Sequence, residues 1–170
     1  HFVRSARYDA ISGELAGLMR TPTAAYQVHV GLPDAATMVT AFRGLRNQLS
    51  LFRALAAGSP FWHGRDSGLA STRAGIMWSY PRVGVPPVFH SFDEYATTVH
   101  EHITAAGVPD YTYLWWDLRP QPRLGTIEVR VMDSVPSLEL AGARRPGAGA
   151  REACGRTTLG HRPAGHRAAR

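Results

Sequence analysis

The sequence predicts an α+β domain: an antiparallel sheet with helices packed on one of its faces. Three observations predict it. Residues 34–55 and 91–106 carry apolar side chains at spacings of three and four, the stripe of an amphipathic helix. Residues 24–31, 111–118 and 126–132 alternate, as half-buried strands do. The last two alternating segments are joined by Arg119-Pro120-Gln121-Pro122-Arg123, a short turn-like link that suits a hairpin. Alternation with one apolar face suits an antiparallel sheet covered by helices on that face.

The elements follow in order. Asp9–Met19 is a modest helix with Ile11, Leu15 and Leu18 on one stripe, ended by Thr21-Pro22-Thr23. In the strand Ala24–Gly31, Tyr26, Val28 and Val30 point one way, Gln27 and His29 the other. Pro33-Asp34 opens a long helix with Asp34 as its N-cap, the stripe Met38, Phe42, Leu45, Leu49, Phe52 and Leu55, and Gly58 at C′. Ser59–Gly75 has no period and reads as a long loop; Pro81–Pro87 is a second irregular stretch. Ser91–Ala106 is a helix with capping-box spacing between Ser91 and Glu94, stopped by Gly107 and Pro109. The strand Tyr111–Leu118 puts Tyr113, Trp115 and Asp117 on one face. The strand Thr126–Met132 puts Ile127, Val129 and Val131 on one face and Thr126, Glu128 and Arg130 on the other.

Length and charge bound the rest. At 170 residues and 44% hydrophobic, the chain suits one domain with a core. No apolar run approaches the roughly 18 residues of a spanning helix. A single cysteine excludes an internal disulfide framework and a thiolate zinc cluster. The opening His1-Phe2-Val3-Arg4 has neither a signal-peptide pattern nor an initiator Met, so the chain reads as starting inside a longer protein, with the cytoplasm as the expected compartment. Residues 1–141 hold 12 Arg against 12 Asp plus Glu, whereas residues 142–170 hold 7 Arg against Glu152 alone, so the whole +6 sits in the tail. That Arg/Gly/Ala-rich tail is expected to be disordered. Its composition is that of GC-rich DNA translated out of frame; a nucleic-acid-binding tail is the alternative, which nothing in the body supports.

Chemistry is expected on the polar sheet face. Gln27, His29, Asp117, Arg119, Glu128 and Arg130 would meet there if the three strands are neighbours. Carboxylates with imidazole suit a divalent metal, and arginine forks suit phosphate or carboxylate; phosphoryl chemistry uses both. A solvated face with surface ion pairs is the alternative from alternation alone. Other motifs fail: His100-Glu101-His102 lacks the zincin spacing, and no serine-hydrolase elbow, P-loop or dinucleotide fingerprint is present.

Four ordered segments together carry a resemblance. They are Gln27–Asp34; Ser59–Trp62 with Gly64–Gly68 and Ala70–Arg73; Pro81–Pro87; and Trp116–Pro120 with Gly125–Arg130. Over about residues 5–140 the set resembles the type 2 glutamate–cysteine ligases, or carboxylate–amine ligases. The resemblance implies a fold akin to glutamine synthetase, ATP and Mg²⁺, and γ-phosphorylation of a carboxylate such as glutamate. On the same resemblance an amine, such as that of cysteine, would then attack the acyl phosphate. The product would be an amide in glutathione-biosynthesis-like chemistry. It implies Glu128 and His29 at the metal, Arg130 on the transferring phosphate, and Arg73, Ser71 and Arg65 on substrate or ATP. Asp117 and Arg119 would line or brace the site. A homo-oligomer is possible; no membrane is implied, and nucleic acid is not the expected partner. The family's opening Gly-x-Glu-x-Glu strand has no counterpart before Gln27, and Leu69 stands where an aromatic is expected. The tail begins where the family continues with an apolar helix. The chain is therefore expected to be an internal fragment without ligase activity of its own.

Overall fold

The computed structural model describes residues 5–15, 23–137 and 139. The first helix, α1 (Ala6–Glu14), starts three residues before the expected Asp9, because the Ser5 side chain accepts the Tyr8 N–H and caps it there. Its expected end and Leu18 lie outside the described residues, as do residues 142–170. Strand β1 (Ala25–Gly31) stands where alternation placed it, with Val28 buried and Gln27 and His29 exposed.

The expected long helix is two. Asp34 caps α2 (Ala35–Asn47), and the chain breaks at Gln48 (φ −99°, ψ 0°) before α3 (Leu49–Ala56). The break turns the stripe, so Ala56 is buried while Leu55 is 65% exposed. Gly58 is not a left-handed C′ residue: Ala57 closes α3 in an extended conformation (φ −57°, ψ 124°), and the Gly58 N–H is donated to Asp133.

Residues 59–75 are not one loop. They hold a hairpin of β2 (Phe61–Trp62) and β3 (Arg65–Asp66), and then enter α4 (Thr72–Met77). His63 and Gly64 both take positive φ (48° and 75°), the geometry of a tight primed hairpin turn. Strand β4 (Val83–Gly84) pairs in parallel with β5 (Trp115–Trp116), the one parallel ladder among the described residues. Helix α5 (Phe92–Ala106) is capped by Ser91 and closed by left-handed Gly107. The Glu94 carboxylate takes the His90 N–H rather than that of Ser91.

The segment 111–118 is not the expected strand. A short 3-10 turn (Tyr111–Tyr113) and β5 occupy it, and the sheet strand is β6 (Leu118–Gln121), where a turn was expected. Pro120 fits there because β6 is an edge strand, where a missing N–H costs no ladder bond. The hairpin turn falls at Pro122–Leu124 with Gly125 at φ 60°, and β7 (Thr126–Asp133) follows. The sheet runs β1-β7-β6, antiparallel throughout.

Val28, Leu118, Ile127, Val129 and Val131 bury one sheet face against Met38, Val39 and Phe42 of α2, with Leu49 and Tyr95 of α3 and α5 beside them. Phe42 also meets Phe89, ring centroids 5.2 Å apart. The fold is thus mixed helix and sheet about an antiparallel core. The helices do not all lie on one face, however. α1 borders the polar face, where Ile11 and Leu15 pack with Tyr80 and Tyr113 in a second, smaller cluster. No described helix is long and apolar enough to cross a membrane.

Candidate functional site

β7 is the central strand, so its polar residues have neighbours on both sides. His29 on β1 and Arg119 on β6 both stand opposite Glu128. Glu128 is 3% exposed and its oxygens are divided. Oε2 accepts Arg119 Nε and Nη2 (3.1 and 2.9 Å) and Gln121 Nε2 (2.7 Å). Oε1 accepts Arg130 Nη1 at 2.6 Å, with His29 Nε2 at 3.9 Å. Burial pushes the Glu128 carboxyl up, but the guanidiniums of Arg130 and Arg119 together with the Gln121 amide hold it below the ordinary value. Burial lowers the pKa of Arg130, and the nearby Arg119 lowers it further, against the pull of Glu128.

Arg119 is fixed from behind. Its Nη1 donates to the carbonyls of Thr112 (2.8 Å) and Leu114 (3.2 Å), so one fork holds both the 3-10 turn and Glu128. Arg119, Glu128 and Arg130 form the floor of a cleft of about 360 Å³, and Arg7, Tyr8 and Ile11 of α1 form the facing wall. Three guanidiniums face one carboxylate, so the cleft favours an anion.

The other expected residues divide. Asp117 does not lie beside Glu128. It accepts Arg53 Nη2 at 2.6 Å, and its carbonyl accepts the Arg130 N–H. Arg73, expected on substrate, is 8% exposed and donates to the carbonyls of Arg130 (3.1 Å) and Val131 (3.4 Å). Its Nε and that of Arg53 are buried without a partner among the described residues, beside a space of about 10 Å³, enough for one water and too small for a carboxylate or phosphate. Burial lowers the Arg73 pKa against the pull of Asp133 and Asp117. Ser71, also expected on substrate, caps α4 and donates to Asp133 Oδ1 at 2.9 Å. Arg65 is exposed on the β2–β3 hairpin and borders neither the cleft nor that space.

Sequence reasoning missed four residues: Arg7, Arg53, Gln121 and Asp133. Asp133 had a signal. It extends the 127, 129, 131 parity of β7, so a carboxylate stands where the pattern asks for an apolar side chain. Such a group must be satisfied, and Gly58 N, Ser59 Oγ and Ser71 Oγ all donate to it.

The expected magnesium pair does not fit by itself. Mg²⁺ asks for several oxygens in octahedral array. No group of three or more His, Cys, Asp or Glu side chains that could hold a metal stands among the described residues. Glu128, the one carboxylate here, already spends both oxygens on arginine and glutamine donors. Two guanidiniums beside it oppose a further cation.

The family model for Glutamate-cysteine ligase family 2 matches residues 2–145. A Rubrobacter xylanophilus protein provisionally named glutamate–cysteine ligase 2-3 is 46% identical over 107 residues, which is 63% of this chain and 30% of its own length. A Ruegeria pomeroyi protein provisionally named glutamate–cysteine ligase 2 is 41% identical over 142 residues, 83% of this chain and 37% of its own. A protein of Thermobifida fusca with the same provisional name is 36% identical over 145 residues, 83% of this chain and 36% of its own. The chain spans about a third of the length of these relatives.

Proposed function

The chain belongs to glutamate-cysteine ligase family 2, and on that premise we propose that it is a segment of an ATP-dependent carboxylate–amine ligase. The substrates would be ATP, glutamate and an amine such as that of cysteine. A γ-carboxylate oxygen attacks the terminal phosphorus of ATP, and the bond to the bridging oxygen breaks as ADP leaves. The amine nitrogen then attacks the acyl carbon, phosphate departs, and loss of one proton leaves the amide. Phosphate is a far better leaving group than hydroxide, which is the use of ATP.

The observation that supports this reading is the arginine-floored cleft. Arg130, held at one nitrogen by Glu128, would steady an oxyanion that develops above the sheet. Glu128 is its counter-charge, and Arg119 and Gln121 hold Glu128. Arg73 and Asp117 act behind the cleft, binding the backbone of Arg130. The Mg²⁺ that accompanies ATP would take its oxygen ligands from outside the described residues, and no step above runs through Glu128 as a ligand. The likeness to glutamine synthetase and the cytoplasmic location belong to the same proposal, as does the inactivity of the 170-residue chain alone.

Two measurements test it. In the longer protein, ADP release should require both glutamate and an amine, and Arg130→Lys should remove most of it, because a point charge does not replace a fork. Unchanged turnover in Arg130→Lys overturns the assignment. A second reading, a noncatalytic anion-binding module, draws on the commitment of both Glu128 oxygens to protein donors. It expects ATP or glutamate to bind the chain equally with Mg²⁺ and with a chelator, and no product to form in the longer protein.

A further inference from the structure

The cleft has a second cationic pole, on α1, whose guanidinium is in direct contact with no carboxylate among the described residues. Arg7 Nη1 donates to Thr112 Oγ1 at 2.5 Å and Nη2 to the Thr112 carbonyl at 3.2 Å. Its guanidinium lies over the Tyr113 ring, 4.5 Å from the centroid. The same Thr112 carbonyl accepts Arg119 Nη1 at 2.8 Å, so nitrogens of the two guanidiniums lie no more than about 6 Å apart. Arg119 and Arg130 share Glu128. Arg7 forms no ion pair among the described residues. The neighbouring Asp110 carboxylate is turned to Thr112, whose hydroxyl and N–H are the partners that hold its pKa down, with Arg7 a lesser influence. Two adjacent guanidiniums repel unless an anion lies between them or beside them. Arg7 is also preorientated, by two hydrogen bonds and a ring face, which lowers the entropy lost on binding.

We propose that Arg7 is a second anion anchor of the cleft, taking the α-carboxylate of the amino-acid substrate whose side-chain carboxylate lies at Arg130. The proposal rests on the ligase reading and adds what that reading leaves open: how an amino acid is distinguished from a simple carboxylic acid. One pole on α1 and one on the sheet floor require a ligand with two separated anionic groups. An acid with one carboxylate satisfies one pole and leaves the other bare.

The test is calorimetric titration of the longer protein, wild type and Arg7→Gln, with L-glutamate, with its α-amide, isoglutamine, and with inorganic phosphate. Arg7 is exposed, so circular dichroism and the melting temperature check that the variant keeps its fold. Loss of a charge-assisted fork should weaken glutamate by about tenfold to a hundredfold. Isoglutamine, which lacks the group Arg7 holds, should bind both proteins equally. Arg7→Lys should recover part of the loss. If Arg7→Gln weakens both ligands alike, or neither, the α-carboxylate assignment is wrong. If it weakens inorganic phosphate and spares glutamate, Arg7 serves a phosphate and the assignment is again overturned. If wild type binds neither glutamate nor ATP at millimolar concentration, the ligase reading of the cleft falls and this proposal with it. Glutamate binding that is lost in Arg130→Lys but kept in Arg7→Gln overturns the inference alone.

Discussion

Asp133→Ala should be among the most damaging single substitutions in the chain. Asp133 is 1% exposed at the end of the central strand. Its Oδ2 accepts Gly58 N at 3.0 Å and Ser59 Oγ at 2.7 Å, its Oδ1 accepts Ser71 Oγ at 2.9 Å, and Arg73 Nη1 stands 3.8 Å away. Hydrogen bonds to a charged acceptor contribute about 1.5–3 kcal/mol each. They do not add in full here, because the two hydroxyls can turn to other acceptors. Removing one partner of a buried charge pair costs about 3–5 kcal/mol, and Arg73 would be left buried with the nearer of its two counter-charges gone. The expected loss is therefore about 3–5 kcal/mol, a large part of the roughly 5–15 kcal/mol that holds an ordinary domain together. Asp133→Asn keeps one acceptor and the shape, and should cost about 2–3 kcal/mol. Ser71→Ala removes one donor and the α4 cap, and should cost about 1–2 kcal/mol. Urea titration followed by circular dichroism measures all three, with the slope checked for constancy. An Asp133→Ala loss below about 1 kcal/mol would refute the reasoning, since the carboxylate would then be contributing no more than an exposed ion pair does.

Three other outcomes are expected. The Glu128 carboxyl is held below the ordinary value of 4.5, so its contribution to stability is complete above pH 4.5 and drains as the pH falls through the lower folded value. Stability should fall more steeply below pH 4.5 in wild type than in Glu128→Gln, and the two curves should converge at acid pH in melts taken across that range. Phe42→Ala, at a side chain 1% exposed between α2 and the sheet, should cost about 3–5 kcal/mol by the same urea titration. Gly125→Ala should cost about 1 kcal/mol with no clash, because φ is 60° there while an added Cβ meets nothing within 4 Å; a thermal melt resolves it.

Alternation revealed strands only where a single apolar surface produced it. In β1 and β7 the odd and even sides differ because one packs on α2 and α3, and the pattern shows directly. Residues 111–118 alternate as well, but for another reason. Leu114 and Trp116 enter the main core, whereas Tyr113 and Trp115 belong to the small cluster around Ile11 and Tyr80. Two apolar surfaces on opposite sides of an irregular segment give the same period as a pleated strand. β6 was hidden by the prolines at 120 and 122, which read as a turn in any local window; only its place at the sheet edge makes Pro120 acceptable. His102 is exposed, yet its ring meets Trp116 edge-on at 5.5 Å. For the cleft, Glu128, Arg119 and Arg130 were legible because they share a hairpin. Arg7 was not, since its partner Thr112 lies 105 residues away and no periodicity reports a contact at that distance.

A chain with no lysine builds this site from a property lysine lacks. Arg119 uses Nε and Nη2 on the Glu128 carboxylate and Nη1 on two carbonyls, four contacts shared between a counter-charge and a strut. Arg73 does the same behind β7, donating to the carbonyls of residues 130 and 131 while facing Asp133. A point charge on a flexible stem could answer the carboxylate in either place, but it could not also hold the backbone in a fixed plane. The consequence falls on Arg130. Its carbonyl is tied by Arg73, its N–H by Asp117 and one guanidinium nitrogen by Glu128, so its position is set by the fold before any ligand arrives. Preorganisation of that kind is what an electrostatic site needs, because donors fixed in advance do not have to be reordered when charge develops. The arginines that brace and the arginines that face the cleft are thus parts of one arrangement, in which the buried pairs hold the strand and the strand aims the side chain left open.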